Sequence, residues 1–573
     1  MRWRRVRDIL PATHRAGAPE EGNLDLRKRL WSPHALVFAT SACLMVIELV
    51  ASRLSATRVG VSLHTWTAII GVILAGVSLG SFVGGRLADR HASSGTLGAV
   101  LALASLSSLA ILWLNNDLHE MSLPSAVPFM VWILLYVAGV FMLPSILLGC
   151  VSPIAVKLSL MDLRTTGRTV GRIGAWSSLG SIAGTFATGF VLIARLGTKN
   201  TIVLVSVLLM LGAAWFLTDA PPRRAWIRAA LSLGAFGVGM GLLARGGFLA
   251  PECLRETNYF CIKVEDVPAE GRQVRALMLD RLVHSYSDIT DPTYLAYGYE
   301  RAYAGLVRAS TARKADLDVL FIGGGGYTFP RYMEATLPQS HLVVVEIDPG
   351  VTEAAHLWLG LPRDTRIETH NLDARNYLAW QSKQDGYDVV FGDAFNDYAV
   401  PFHLTTLEFD RLVDRALRDD GLYLVNIIDG GRHGRFLRAF VRTLQQVFAH
   451  VAVIPSSATW RDSARSTFVL AASQRALDLS HLPEGSPPLS DEELSRYLAL
   501  EPPLTLTDMH VPVDHLMAPV VEDSFFAATL DPDISAQVTE RVWAVGLGAL
   551  VALLVAIGWL IYRRRSAHRD RAS

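Results

Sequence analysis

The sequence predicts a multi-pass α-helical membrane domain joined to a doubly wound α/β domain, with a small β-region between them. Three observations carry this expectation. The 573-residue chain has a positive mean hydropathy, +0.31, and 51% of its residues are hydrophobic, which an ordinary soluble chain rarely reaches. Apolar stretches of about 20 residues, long enough to cross a bilayer, crowd residues 34–250. From residue 316 onward, short apolar runs alternate with helix-like segments, the pattern of a mostly parallel sheet covered on both faces.

In the helical half, spans fall at 34–52, 66–85, 96–114, 128–152, 173–193, 201–218 and 226–244, with an eighth at 542–562. The seventh is the weakest, being glycine-rich and carrying Arg228 near its start. Segment 1–33 is long, polar and basic before the first apolar run, and no small-residue cleavage site follows, so the first span reads as a retained helix. Gly76, Gly80, Gly84 and Gly85, with Gly180 and Gly184, fit close packing of helices. Glu48 and Arg53 mark either a substrate path or, alternatively, a structural pair or an interface residue, because membrane-embedded ions are costly.

Formal charge is zero, but Arg2, Arg4, Arg5, Arg7, Arg27, Lys28 and Arg29 cluster at one end and Arg563, Arg564, Arg565, Arg569 and Arg571 at the other. Beside apolar spans these are orientation signals. No aromatic-rich basic face accompanies them, so nucleic acid is not expected as a partner, whereas the lipid bilayer is. Arg86, Arg90, Lys157, Arg164, Arg168, Arg223 and Arg224 lie in alternate loops. The charge rule then puts both termini in the cytosol of a bacterial-type cell and the globular part on the other side of its inner membrane. Among four cysteines, Cys43 and Cys150 sit inside spans as packing residues, while Cys253 and Cys261 lie close together where a disulfide could form outside the cytosol, their pairing left open by the sequence. No Cys/His spacing points to a metal.

The globular part divides into a β-rich region, 251–315, and the doubly wound region, 316–535, before the last span at 541–562 and a basic tail at 563–573. Tyr259-Phe-Cys-Ile-Lys-Val264 and Val274-Arg-Ala-Leu-Met-Leu279 alternate as strands do. Further strands are expected at 317–322, 342–347, 366–369, 387–392 and 421–428.

Asp318-Val-Leu-Phe-Ile-Gly-Gly-Gly-Gly-Tyr327 runs from an apolar strand into four glycines, and His341-Leu-Val-Val-Val-Glu-Ile-Asp348 ends a second strand in acids. An acid about twenty residues beyond a glycine turn is the Rossmann-like arrangement for a nucleoside. Gly323, Gly324 and Gly325 would let the ligand approach bare backbone, and Glu346 would accept from ribose hydroxyls. Asp373 follows the third strand and reads equally as an adenine contact or as a helix N-cap. Asp393 tips the fourth strand, where open sheets hold their ligands; it is either a base or a turn residue.

These motifs resemble spermidine synthase and its aminopropyltransferase relatives. The run Pro401-Phe-His-Leu-Thr-Thr-Leu-Glu-Phe409 and the segment Asp291-Pro-Thr-Tyr-Leu-Ala-Tyr-Gly-Tyr299 are similar to bacterial membrane-fused members. Gly80-Ser-Phe-Val-Gly-Gly-Arg-Leu-Ala-Asp-Arg90 is similar to a cytosolic loop of major-facilitator transporters. The resemblance implies an S-adenosylmethionine-type fold that binds decarboxylated S-adenosylmethionine, or S-adenosylmethionine itself, as co-substrate. It makes Asp393 the base and Tyr297 a residue that orients the amine; Tyr327 and Asp397, at positions where the chain departs from the family, are the expected substrate contacts. The expected partner is a small-molecule amine, and a homo-oligomer is compatible with the chain.

Departures from that pattern matter. The family's glycine motif ends in Asp-Gly where this chain has Gly326 and Tyr327; a glutamine is replaced by Phe260, a histidine by Gly298 and an acid by Asn396. Burying a polyamine's charge needs paired carboxylates, so these losses weaken a putrescine site more than the nucleoside half. Two alternatives therefore stay open: a methyltransferase on the same sheet, and a non-catalytic ligand-binding or transporter-like protein with a degenerate synthase domain.

Overall fold

The structure, a computed structural model, describes residues 33–528 apart from 61, 118–128, 161–162, 219–221, 312–313, 315, 395–399, 432–433 and 486. The basic N-terminal segment, the eighth span, the basic tail, Asn396 and Asp397 lie outside the described residues. Among those described, seven helices are long and apolar enough to cross a membrane: Pro33–Val59, Leu63–His91, Ser94–Asn116, Met130–Ser159, Leu163–Leu196, Thr198–Leu217 and Trp226–Arg245.

Glycine seams explain how these helices pair. Gly76, Gly80 and Gly84 face Ser145, Ile146 and Cys150 so closely that a Cβ would collide, and Gly180 and Gly184 meet Phe38 and Ala42 in the same way. Gly85 has nothing within 4 Å of where its Cβ would stand, so it takes no part in the seam. Large apolar side chains such as Leu74, Phe82, Phe186 and Leu231 are exposed on the outside of this helical half.

Glu48 and Arg53 do not pair. One oxygen of Glu48 is buried without a hydrogen-bond partner, while Arg53 donates to the backbone carbonyls of Thr257 and Tyr259 in the globular half. Arg53 thereby ties the first membrane-type helix to the β-region. Beside it, Glu256 accepts from the Thr198 N–H at 2.6 Å, Glu252 pairs with Arg58 and Lys199 at 3.0 Å each, and Cys253 and Cys261 form a disulfide.

Strands β1 (Arg255–Glu256), β2 (Cys261–Ala269), β3 (Arg272–Leu279) and β4 (Leu282–Ser287) form one antiparallel sheet in sequential order. The second sheet has seven strands: β5 (Asp318–Ile322), β6 (His341–Val345), β7 (Glu368–His370), β8 (Tyr387–Gly392), β9 (Leu417–Asp429), β10 (His450–Pro455) and β11 (Ser466–Ser473). Their spatial order is β10-β11-β9-β8-β5-β6-β7. The chain runs outward from β5 through β6 to β7, then crosses back to β8 on the other side of β5. The switch point, where such sheets open for a ligand, is therefore between β5 and β8.

All five expected parallel strands are present, with ends shifted by at most a few residues. The hairpin of β10 and β11 was not anticipated; β11 runs antiparallel between β9 and β10. The sheet's two faces bury separate apolar clusters. On one, Phe321 and Phe391 stack 4.8 Å apart from adjacent strands, and Tyr303 and Phe329 pack against them.

Candidate active site

The glycine turn follows β5. Gly323 has φ +95°, and a Cβ there would strike the Asp393 carbonyl, so only glycine lets the two strand ends close together. At the other end of the turn, a Cβ on Gly326 would overlap Ser285 and crowd Ser287 of β4. The family's acid has no room at 326 because the antiparallel sheet fills the space.

Glu346, 6% exposed, holds the turn from below. Its carboxylate accepts from Gly324 N–H at 2.8 Å, Gly325 N–H at 3.4 Å and Asp348 N–H at 2.9 Å. Burial raises its pKa, and these three N–H groups oppose the rise. The side chain also lines a cavity of about 180 Å³ together with Gly323, Gly325, Ile347, Leu372 and Asp373. Oε2 accepts from both glycine N–H groups, whereas Oε1 accepts from Asp348 N–H alone, so Oε1 keeps acceptor capacity.

The N-cap reading of Asp373 is realised. One oxygen accepts from Asn376 N–H at 3.0 Å as an N-cap, and the other lies 2.8 Å from His403 Nε2. The residue nonetheless lines the smaller cavity. Tyr327 is placed differently from the substrate contact expected of it. It adopts a left-handed backbone (φ 56°), is fully buried, and puts its hydroxyl within 3.1 Å of Thr352 Oγ1. Its side chain lines neither of the two cavities that meet at the glycine turn. Its ring packs against Gly324 and so supports the turn from the protein interior.

Asp393 stands on the wall shared by the smaller cavity and a larger one of about 630 Å³. Its Oδ1 accepts from Asn426 Nδ2 at 2.9 Å and its Oδ2 from the Tyr299 hydroxyl at 3.2 Å. Register explains the first bond: Gly392 of β8 pairs with Val425 of β9, so the next residue on each strand faces the other. Burial pushes the Asp393 carboxyl above its ordinary range, and the two donors pull it back.

Tyr297 also lines the larger cavity, but its hydroxyl donates to the Val283 carbonyl at 3.3 Å. The tyrosine bonded to Asp393 is Tyr299, two positions on. Glu300, 2% exposed, lines the same cavity; burial lifts its carboxyl to about 8, and the nearby Asp393 adds to the rise. Asp397 belongs to the 395–399 loop outside the described residues.

Sequence reasoning missed Tyr299, Asn426, Glu300, His403 and Arg465. Tyr299 and Glu300 carried a usable signal, because both adjoin the tyrosine that was chosen. Asn426 and Arg465 carried none, since the pairing of β9 with β8 and β11 brings them to the site. Among the described residues, no group of three or more His, Cys, Asp or Glu side chains is arranged to hold a metal ion.

Glycine turn, acid-tipped second strand and a buried acid at the switch point define a Rossmann-type α/β domain, here on one chain with a membrane-type helical half. Compared with known proteins, the chain is 25% identical over 476 residues to polyamine aminopropyltransferase 2 of Ralstonia nicotianae, covering 77% of this chain and 86% of that protein. The covered share exceeds the globular half, so the likeness extends into the helices. It is 26% identical over 219 residues to the probable polyamine aminopropyl transferase of Bifidobacterium longum, covering 35% of this chain and 47% of that protein. The chain thus spans about half the length of that relative. A crystal structure of a probable spermidine synthase from Corynebacterium glutamicum aligns at 23% identity with TM-score 0.39, covering 44% of this chain and 94% of that one. No family model matches. In sequence the chain is thus similar to polyamine aminopropyltransferases.

Proposed function

We propose that this protein is a membrane-anchored aminopropyltransferase that moves an aminopropyl group from decarboxylated S-adenosylmethionine to an amine. The observation that carries the reading is the position of Asp393, buried on the wall between two cavities and held by Asn426 and Tyr299. The smaller cavity supports a nucleoside site: Glu346 and Asp373 offer carboxylates, Ile347 and Leu372 offer apolar walls, and Gly323 and Gly325 offer bare backbone. The acceptor amine would occupy the larger cavity.

In the reaction, the amine lone pair attacks the carbon next to the sulfonium. The new C–N bond forms as the C–S bond breaks, and its electron pair leaves on sulfur as methylthioadenosine. Asp393 takes the proton that the nitrogen sheds. Its raised pKa brings the carboxylate nearer to the basicity that such a transfer requires. Alignment of amine and carbon supplies the rest of the acceleration.

The disulfide and the loop charges support placing the globular half outside the cytosol. In that placement the co-substrate reaches the site through, or on the far side of, the helical half. Labelling single cysteines introduced in the 483–500 loop of intact cells tests it: only an extracytosolic loop reacts with a membrane-impermeant reagent.

The test of the activity is purified full-length protein with decarboxylated S-adenosylmethionine and a panel of amines. Release of methylthioadenosine that Asp393→Asn abolishes supports the proposal. Release of S-adenosylhomocysteine from S-adenosylmethionine, with no methylthioadenosine, would instead make the protein a methyltransferase.

A further inference from the structure

The two halves of the chain meet where the first helix, Pro33–Val59, touches the turn between β1 and β2. Arg53, half-buried near the end of that helix, commits both terminal nitrogens to this turn. One donates to the Thr257 carbonyl and the other to the Tyr259 carbonyl, across sequence separations of 204 and 206. A guanidinium fork suits two acceptors set side by side.

On its other side the turn reaches the smaller cavity. Tyr259 and Phe260 line that cavity themselves, together with Glu346, Gly323 and Gly325. Thr257 reaches it through hydrogen bonds. Its hydroxyl accepts from the Tyr259 and Phe260 N–H groups at 3.0 and 2.9 Å and donates to the Asp348 carboxylate. Asp348, 1% exposed, donates its own N–H to Glu346 at 2.9 Å, and Glu346 holds the Gly324 and Gly325 amides. Burial raises the Asp348 carboxyl, while the Thr257 hydroxyl, the Gly350 N–H and the charges of Arg255 and Arg53 oppose the rise. The Thr257 methyl stands where a Cβ on Gly350 would be, so packing as well as bonding holds this side chain.

An unbroken series of bonded residues thus runs from a membrane-type helix to the backbone that faces the cavity. Close-packed, hydrogen-bonded groups cannot yield independently, so such a series passes displacement along. The neighbouring junction contacts end at the junction. Glu252 pairs with Arg58 and Lys199, and Glu256 accepts from Thr198, yet none of these five lines either cavity at the glycine turn.

We propose that Arg53 is a positioning residue for the nucleoside site, through which the helical half sets how well the smaller cavity holds its ligand. This deepens the reading of that cavity as a nucleoside site and rests on it for the identity of the ligand. Such coupling is reciprocal: a shift of the first helix changes ligand affinity, and ligand binding tightens the junction. The helical half then has a task beyond anchoring.

The test uses full-length protein in lipid nanodiscs, with methylthioadenosine as the probe. Calorimetry measures its affinity, and hydrogen exchange without ligand reads the Gly324, Gly325 and Asp348 amides. Arg53→Gln is expected to weaken methylthioadenosine by about 10-fold and to speed exchange at those three amides. Thr257→Val keeps the methyl but loses the hydroxyl, and has the same two effects. Thr257→Ser keeps the hydroxyl and returns both readouts close to the parent's. Because the two positions act on one series, Arg53→Gln combined with Thr257→Val loses little more than either alone. Glu252→Gln weakens the junction off that series and leaves affinity and exchange unchanged. Parent-like values in both Arg53→Gln and Thr257→Val overturn the proposal, as do additive losses in the double variant. An equal loss in Glu252→Gln also overturns it, since Arg53 would then be one docking contact among several. If Arg53→Gln and Thr257→Val speed exchange but even the parent binds no methylthioadenosine, the coupling stands and the nucleoside reading fails.

Discussion

Asn426 donates to Asp393 across the ends of two parallel strands, 2.9 Å between heavy atoms. The bond joins the residue after β8 to one near the end of β9 and aims the Asp393 carboxylate along the wall between the cavities. Removing either partner has separable effects. Asp393→Asn lowers turnover by about 10²–10⁴-fold, the usual contribution of a general base, with methylthioadenosine affinity unchanged. Asn426→Ala removes a donor that holds the Asp393 pKa down. Turnover needs the ionised form and so rises with pH through that pKa; in Asn426→Ala the acidic limb therefore moves to higher pH. A pH–rate profile identical to the parent's would show that the bond does not set the base.

Gly326 illustrates a departure from the family pattern that the tertiary structure enforces. Its missing Cβ would overlap Ser285. Gly326→Ala is expected to destabilise the protein by about 1–3 kcal/mol through overpacking. Shortening the neighbour in the double variant with Ser285→Gly recovers part of that loss, because the two positions are coupled. Thermal melting of the two singles and the double checks this, and strict additivity would refute the clash.

Glu300 gives a stability signature. Its carboxyl is raised from 4.5 to about 8, first by burial. Between those values the folded protein keeps a proton that the unfolded chain has released, so stability falls as pH rises across that window. Glu300→Gln removes this part of the slope. Denaturant midpoints measured at pH 5 and pH 8 should converge in the variant; an unchanged difference would mean that another buried acid carries it.

The disulfide closes a short loop, with a sequence separation of 8 between Cys253 and Cys261. Loop-closure entropy for such a ring is about 2–3 kcal/mol. Cys253→Ser with Cys261→Ser, or the parent protein in reducing agent, is expected to melt at lower temperature. Because Arg53 grips Thr257 and Tyr259 inside that loop, protease cleavage near 250–260 should rise as well. Melting curves that superimpose with and without reductant would count against a stabilising bridge.

Much of the site was legible in the sequence because it is local. The glycine run, Glu346 and Asp393 each sit where an apolar strand stops, and a strand's end can be read from a few neighbours. Asp373 kept two readings; the structure realises the N-cap, and the other oxygen meets His403 while the residue lines the smaller cavity. Other features rest on partners distant in sequence. Tyr297 and Tyr299 are chemically alike, and only the placement of the helix Gly298–Thr311 against β8 selects the second for Asp393. Tyr327 looked like a ligand contact from its place in the motif, yet its left-handed backbone turns it inward to Thr352.

By itself, then, the sequence determined which segments form long apolar helices or parallel strands, and where along the chain the glycine turn and its acids lie. Periodicity, chain punctuation and side-chain chemistry over a handful of residues suffice for that. Only the tertiary structure decided that β11 enters the sheet antiparallel, that Asn426 faces Asp393, and that Arg465 shares a cavity with it. Those contacts join residues tens of positions apart, and their geometry follows from strand register and core packing, which no local pattern encodes.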